Sequence, residues 1–286
     1  MRSQSLLVPL NPGVPFDPDR VEVAPEWAPF DIETDLAEPT NDDVRQIAGF
    51  LDLTLLNSDD TPERIGSLYE AAADPLNDGR CRVAGVCVYP AFLGENDVWL
   101  RSKGVRLVTV AGGFPHGLSP LAARMAEVEY GSKVADEVDV TVPRHLALEG
   151  RWEDYYWDAR QMVGAAKNTP VKIILGTGEL KNPETIYKAA LVAMMAGAAF
   201  VKTSTGKERV NATLDAGAVL CQAIKDYRNW TGHRVGLKPA GGIRTTQEAM
   251  HWVHLVRERL GAEWLKPETF RIGASTLLDH LRYVSA

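Results

Sequence analysis

PVKIILGTGELKNPETIYKAALVAMMAGAAFVKTSTGK, residues 170–207, holds one full repeat of the pattern that organises the chain. Val171–Leu175 is a short, β-rich apolar run, and Ala199–Thr203 is a second one. Between them, Pro183–Ala196 opens on a proline and continues with helix formers. Runs that are apolar on consecutive residues fit parallel strands buried on both faces. Strand, helix and strand over this length predict a parallel crossover unit.

Working outward, the same alternation begins at Asp42 and runs to the end of the chain. Further β-rich runs are Phe50–Leu56, Val83–Tyr89, Val105–Ala111, Glu137–Val142, Val235–Lys238 and Phe270–Gly273, which brings the total to eight. The intervening helical stretches are Pro62–Ala73, Ser119–Ser132, Trp152–Lys167, Ala212–Tyr227 and Thr245–Leu260. Thr61 followed by Pro62 reads as an N-cap with proline in the first turn, and Ser119–Pro120 repeats that arrangement. Eight such units in about 240 residues predict an α/β fold, a (β/α)8 TIM barrel, rather than a doubly wound sheet. No GxGxxG follows an early strand, which argues against a dinucleotide site.

Residues 1–41 differ from the barrel region, 42–286. They carry eight acids against two bases and seven of the chain's seventeen prolines. They read as an acidic, proline-rich N-terminal arm, either extended or disordered, with Trp27 and Phe30 as the residues that would pack. The net charge of −7 lies mostly in this arm, and no basic stripe is visible, so no nucleic-acid partner is expected. The longest uncharged apolar run, Ala189–Val201, is too short to span a bilayer, and Pro9 and Pro12 interrupt the apolar patch near the amino end, so neither a membrane span nor a secretory signal is expected. Three cysteines without CxxC spacing point to a reducing, cytoplasmic setting and not to a disulfide framework or structural zinc.

The active end of such a barrel is the C-terminal end of its strands. Four ionisable residues fall at or near those ends: Asp52, Asp139, Lys202 and Lys238. Lys202 follows small and apolar residues, so burial would disfavour its charged form and leave an amine able to attack a carbonyl. Position alone leaves open a solvated lysine just past a strand. Lys238 closes the next strand, about 4.8 Å away across the sheet. Two ammonium groups side by side discourage double protonation, and a purely structural reason for the pair is hard to find. Asp139 shares one strand face with Glu137 and Thr141 and needs a cationic partner. Its alternative is a structural ion pair. Asp52 is read as a ligand for a substrate hydroxyl or water, or as a buried acid bound by backbone or Thr54.

Glycine and hydroxyl residues follow three consecutive strands: Gly206 and Lys207, then Gly241, Gly242 and Arg244, then Gly273, Ser275 and Thr276. Backbone amides in such turns approach phosphate oxygens closely. His251 and His254 lack an acidic or sulfur companion for a metal. His116 reads as a loop histidine that can line the mouth, and Cys87 as a small core residue.

The segments LDLTLL, GVCVYP, GGFPHG, DEVDVTVP, TGELK, FVKTSTGK, GLKPAGGIRT and FRIGAST run in order from Leu51 to Thr276. Together they resemble the deoxyribose-phosphate aldolase family. The resemblance implies a class I aldolase that reversibly cleaves 2-deoxy-D-ribose 5-phosphate to D-glyceraldehyde 3-phosphate and acetaldehyde. It implies no metal and no cofactor, a small sugar phosphate and aldehydes as the only ligands, and a homo-oligomer, a dimer first. By the same resemblance Lys202 carries the Schiff base, Lys238 lowers its pKa, Asp139 relays protons, and Asp52 contacts the substrate hydroxyl. Gly206, Lys207, Gly241, Gly242, Ile243, Arg244, Gly273, Ser275 and Thr276 fall on the phosphate-binding positions. Some members end in a tyrosine that assists proton transfer, whereas this chain ends RYVSA with Tyr283 as its last tyrosine. The arm, absent from the shortest members, is a candidate to touch a neighbouring subunit. The alternatives are a Schiff-base aldolase with another donor, and a barrel that binds a sugar phosphate without turnover.

Overall fold

The computed structural model describes residues 8–22, 25, 30, 37–94 and 97–285. The predicted strands are present as β1 (Leu51–Leu55), β2 (Gly85–Val88), β3 (Arg106–Ala111), β4 (Glu137–Thr141), β5 (Val171–Ile174), β6 (Phe200–Lys202), β7 (Gly236–Lys238) and β8 (Ile272–Ala274). Each pairs in parallel with the next from β1 to β7, and β8 pairs with β1. Between β7 and β8 the ring closes through two isolated bridges, Leu237 to Phe270 and Ala240 to Gly273. The eighth strand therefore starts later than Phe270, because Phe270 and Arg271 reach β7 only at this irregular seam.

Helices surround the barrel. Ahead of β1 lie α1 (Pro18–Glu22) and α2 (Asn41–Phe50), and α3 (Pro62–Ala73), α4 (Asp97–Ser102) and α5 (Leu121–Val134) follow β1, β2 and β3. After β4 come α6 (Arg144–Leu148) and α7 (Trp152–Ala166), and after β5 come α8 (Thr177–Leu180) and α9 (Pro183–Met195). The last three are α10 (Leu214–Thr231), α11 (Thr246–Leu260) and α12 (Leu277–Ser285). Side-chain caps set several starts. Thr61 accepts from the Arg64 amide, Asn182 from Thr185, and Thr213 from Ala216, with proline in the first turn of α3 and α9. The Thr213 cap explains why α10 begins two residues after the expected Ala212. The Ser119–Pro120 expectation is corrected: Pro120 is itself the cap residue, extended at ψ 142°, with no side-chain cap bond. Ser119 instead gives its carbonyl to Arg124 Nε at 2.9 Å.

The apolar run Ala189–Val201 is the end of α9, a tight turn and β6, all buried inside the protein. No helix among the described residues is long and apolar enough to cross a membrane. Part of the arm lies against the barrel's own N-terminal end. Val8 packs on Ala199 and Phe200. Asn11, 5% exposed, donates to the carbonyls of Met194 (2.7 Å) and Ala198 (3.0 Å) and accepts from Tyr227 Oη (3.1 Å). Val14 N donates to Met195 O, and Arg160 reaches the carbonyls of Pro12 and Ala196. The Met195 carbonyl, at the last residue of α9, and the Ala196 carbonyl just beyond it thereby gain partners from the arm and from Arg160. Phe30 is buried beside His254 and Arg259, while Trp27 lies outside the described residues.

Candidate active site

TIM barrels fill their interiors with layers of side chains, usually branched and apolar. This one places ions there instead. Asp52, Glu137, Asp139, Lys172, Lys238 and Arg271 are all 0% exposed, and Lys202 is 3% exposed. Parallel register brings them together: Lys172 stands opposite Asp139, and Lys202 opposite Lys238. Asp139 is the hub. Its Oδ2 accepts from Lys202 Nζ at 2.7 Å and from Lys238 Nζ at 2.7 Å, and its Oδ1 accepts from Lys172 Nζ at 3.0 Å. Asp52 accepts from Lys238 and from Arg271. Glu137 lies 2.6 Å from Lys172 and accepts from Arg271 at 2.8 Å, with Arg106 3.4 Å away at the edge.

Burying a charge is costly unless it is paired, and here every carboxylate meets at least two cations. Burial alone would raise the Asp139 carboxyl; Lys172, Lys202 and Lys238 outweigh it and hold the group well below the usual range. The same contest lowers Asp52, where Arg271, Lys238 and Lys172 overcome burial, and Glu137, where Arg271 and Lys172 do. Burial would push Lys238 down, but Asp139 and Asp52 carry it above the ordinary lysine value. The ions rest on an aromatic floor. Phe200 holds its ring 5.8 Å from both Lys172 Nζ and the Arg271 guanidinium. It fits because residue 236 is glycine; a β-carbon there would stand 2.3 Å from the ring.

The four residues singled out from the strand ends thus meet in one cluster. Asp52 binds neither Thr54 nor backbone through its carboxylate; Thr54 donates instead to the Asp52 carbonyl at 2.7 Å. Lys172 and Arg271 belong to the cluster as well and escaped sequence reading. Their signal was a charge inside an apolar strand run, VKIIL and FRIGA. Opposite the lysines, Cys87 joins Leu56, Val108 and Val110 in a small apolar group edged by Tyr89 and Phe114, and burial pushes its thiol up to about 11. His254 sits 3.3 Å from Glu258 on α11.

The candidate phosphate positions lie together above Lys202 and Lys238. Gly206 (φ +83°), Gly241 (φ +78°) and Gly242 (φ +87°) all turn through the left-handed region. Gly241 N donates to Gly273 O at 3.2 Å, which joins the seventh and eighth loops. Lys207 is exposed and reaches Asn57 Oδ1 at 3.2 Å across the mouth. Ser275 and Thr276 are exposed just ahead of α12. Ile243 is buried, so only its backbone can face a ligand here. The Arg244 amide is taken by Glu248, 2.7 Å away, which leaves the exposed guanidinium as that residue's means of meeting an anion. Tyr283 is 81% exposed on α12, with its ring against His280.

Comparison with known proteins shows the family of the chain. Residues 50–282 match the model of the DeoC/LacD family aldolases. The human deoxyribose-phosphate aldolase is 44% identical over 245 residues, 81% of this chain and 77% of that protein. The bovine one is 43% identical over 241 residues, 80% and 76% of the two chains. Among solved structures, the tetrameric deoxyribose phosphate aldolase of Aeropyrum pernix superposes with a TM-score of 0.65 at 26% identity, covering 85% of this chain and 97% of that one. With that extent of similarity, spanning every strand but the arm's share of the chain, the protein belongs to the DeoC/LacD aldolase family.

Proposed function

We propose that this protein is a class I aldolase that reversibly cleaves 2-deoxy-D-ribose 5-phosphate to D-glyceraldehyde 3-phosphate and acetaldehyde through a Schiff base on Lys202. Residues 42–286 form the catalytic barrel in this reading, and residues 1–41 the arm. The observation that carries it is the sharing of Asp139 Oδ2 by Lys202 and Lys238, each 2.7 Å away in a buried cluster at the end of β6 and β7. Lys172, Lys238 and Arg271 already match the carboxylates of Asp52, Glu137 and Asp139 one for one. Lys202 is the further amine of the cluster, and as an uncharged amine it is the nucleophile that carbonyl attack requires.

In the cleavage direction, Lys202 Nζ adds to the C1 carbonyl of the open-chain sugar, and loss of water yields an iminium. A base takes the proton of the C3 hydroxyl, the C2–C3 bond breaks, and its electron pair passes into the iminium to give an enamine. Glyceraldehyde 3-phosphate departs. Protonation at C2 and hydrolysis then release acetaldehyde and restore the amine. Asp139, in contact with both Lys202 and Lys238, serves with Lys238 as the proton relay through ordered water, and Asp52 fixes Lys238 and the substrate hydroxyl. The glycine turns at Gly206, Gly241 and Gly242, with Lys207, Ile243, Arg244, Gly273, Ser275 and Thr276, cradle the phosphate.

The tetrameric Aeropyrum pernix relative supports a homo-oligomer, here a dimer first. The free cysteines Cys81, Cys87 and Cys221 fit a cytoplasmic setting. Turnover of 2-deoxy-D-ribose 5-phosphate, followed by acetaldehyde and borohydride treatment with peptide mapping, tests the reading. The expected result is cleavage together with one ethyl group fixed on Lys202. Label concentrated on another lysine, or no cleavage, would refute it.

A further inference from the structure

Directly after Lys202 the chain runs Thr203, Ser204, Thr205, Gly206, Lys207, Glu208. Glu208 lies next to the residues assigned to phosphate, yet its carboxylate is turned away from solvent, 3% exposed. Both of its oxygens are used within the protein. Oε1 accepts from Arg144 Nη2 at 2.7 Å and from Thr205 N at 3.0 Å, and Oε2 accepts from Thr205 Oγ1 at 2.7 Å. Thr205 Oγ1 in turn accepts from Lys207 N at 3.1 Å. The Glu208 carbonyl accepts from Asn211 Nδ2 at 3.1 Å, and Asn211 occupies the space beside Gly241, where a β-carbon would come within 2.8 Å of its side chain. The Glu208 carboxylate therefore fixes the Thr205–Lys207 turn, while its backbone carbonyl holds the wall of the Gly241 turn.

Arg144 extends the same network across the mouth. It follows β4, is 8% exposed in its side chain, and donates to the Pro115 carbonyl after β3 at 3.3 Å. Its Nε lies 3.1 Å from Glu179 Oε2 on α8 after β5. Gly176, at φ +72°, makes room for it; a β-carbon there would stand 2.0 Å from Arg144 Nε. Arg144 thus ties loops after four consecutive strands, pairing with Glu208 after β6 and with Glu179 after β5. A bare carboxylate beside an anion site would repel the anion, and the Arg144 guanidinium 2.7 Å away offsets the Glu208 charge. Glutamate suits the role because both oxygens of the ion accept, whereas an amide offers a single acceptor oxygen.

We propose that Glu208, neutralised by Arg144, is a positioning residue that sets the preference of this site for phosphorylated substrates by holding the Thr205–Lys207 turn in its anion-receiving shape. The proposal rests on the aldolase reading above. It touches the far end of the substrate, not the reacting carbon, so its effect separates by substrate. Glu208→Ala is expected to raise KM for 2-deoxy-D-ribose 5-phosphate by about tenfold, the scale of one lost charge-assisted hydrogen bond. Inhibition by inorganic phosphate is expected to weaken alongside. The kcat/KM for unphosphorylated 2-deoxy-D-ribose, and borohydride labelling of Lys202 with acetaldehyde, are expected to stay at wild-type level. Glu208→Gln, which keeps the volume and one acceptor oxygen, is expected to fold and to show an intermediate rise in KM. Equal losses on the two sugars in either variant, or wild-type KM and phosphate inhibition in Glu208→Gln, would overturn the clamp while leaving the aldolase reading intact. A wild-type protein that neither cleaves the phosphorylated sugar nor labels at Lys202 would overturn both.

Discussion

Asp139 sits within 3.0 Å of three lysine nitrogens, and removing its charge while leaving its shape isolates what that charge contributes. Asp139→Asn leaves Lys172, Lys202 and Lys238 without their shared counter-ion, at a cost of roughly 3–5 kcal/mol, the range for breaking a buried ion pair. The folded carboxyl titrates below its unfolded value. Its stabilisation is therefore complete above the unfolded pKa of about 3.9 and lost as pH falls through the folded value. The stability gap between wild type and Asp139→Asn, from chemical unfolding at a series of pH values, is expected to hold steady above about pH 5 and to shrink below about pH 4. A gap that widens on acidification would contradict the assignment. Lys202, Lys238, Asp139 and Asp52 were legible in the sequence because each lies on or closes a strand, where a barrel puts its chemistry. Lys172 and Arg271 were not, since a single charge within a short run does not reveal which face it takes or what ion awaits it. Glu208 and Arg144 stand 64 residues apart, a pairing that only the folded chain discloses.

Strands and helices were readable because their signals are local: consecutive apolar residues for the buried strands, and Thr61–Pro62 and the opening Pro183 for helix starts. The seam between β7 and β8 was not, because an irregular closure depends on how far the rest of the sheet curls. At that seam, the turn after β7 is the element to which the proposed aldolase reading assigns phosphate recognition. Gly241 holds φ +78°, and a β-carbon there would come within 2.9 Å of Gly206 Cα. Gly241→Ala faces both the strained backbone and the neighbouring turn, so the turns after β6 and β7 must part. The expected outcome is a KM for 2-deoxy-D-ribose 5-phosphate raised by at least about tenfold, for a backbone strain of about 1–3 kcal/mol. Gly242→Ala shares the positive φ but meets nothing within 4 Å. It is expected to lose less, and steady-state kinetics of the two variants would show whether contact or backbone angle dominates. A larger loss at Gly242 would put the backbone angle first.

Across the whole molecule, residues 8–14 and the mouth occupy opposite ends of one barrel. Val8 lies under Phe200, and Phe200 lies under the ions that surround Lys202. Residues 8–14 thus lie beneath the buried cluster and pack against the barrel. Asn11→Ala strips hydrogen-bond partners from the Met194 and Ala198 carbonyls and from Tyr227. Met194 O keeps its bond from Gly197 N, so the loss falls on the Ala198 carbonyl and Tyr227, and stability is expected to drop by about 2 kcal/mol, seen as an earlier unfolding midpoint in denaturant. Unchanged stability would mean that the arm is held by its other contacts alone. The fastening of Asn11 also has a bearing on how the chain is made. Its partner carbonyls lie 183 and 187 residues downstream, and Tyr227 lies 216 residues downstream. At roughly 5–20 residues per second, ribosomes take on the order of 10–40 seconds to supply the first of these. Until then Asn11 lacks all three of these partners, so a protease is expected to cut beside Asn11 faster in chains stalled before residue 194 than in finished chains, and equal protection would contradict this order.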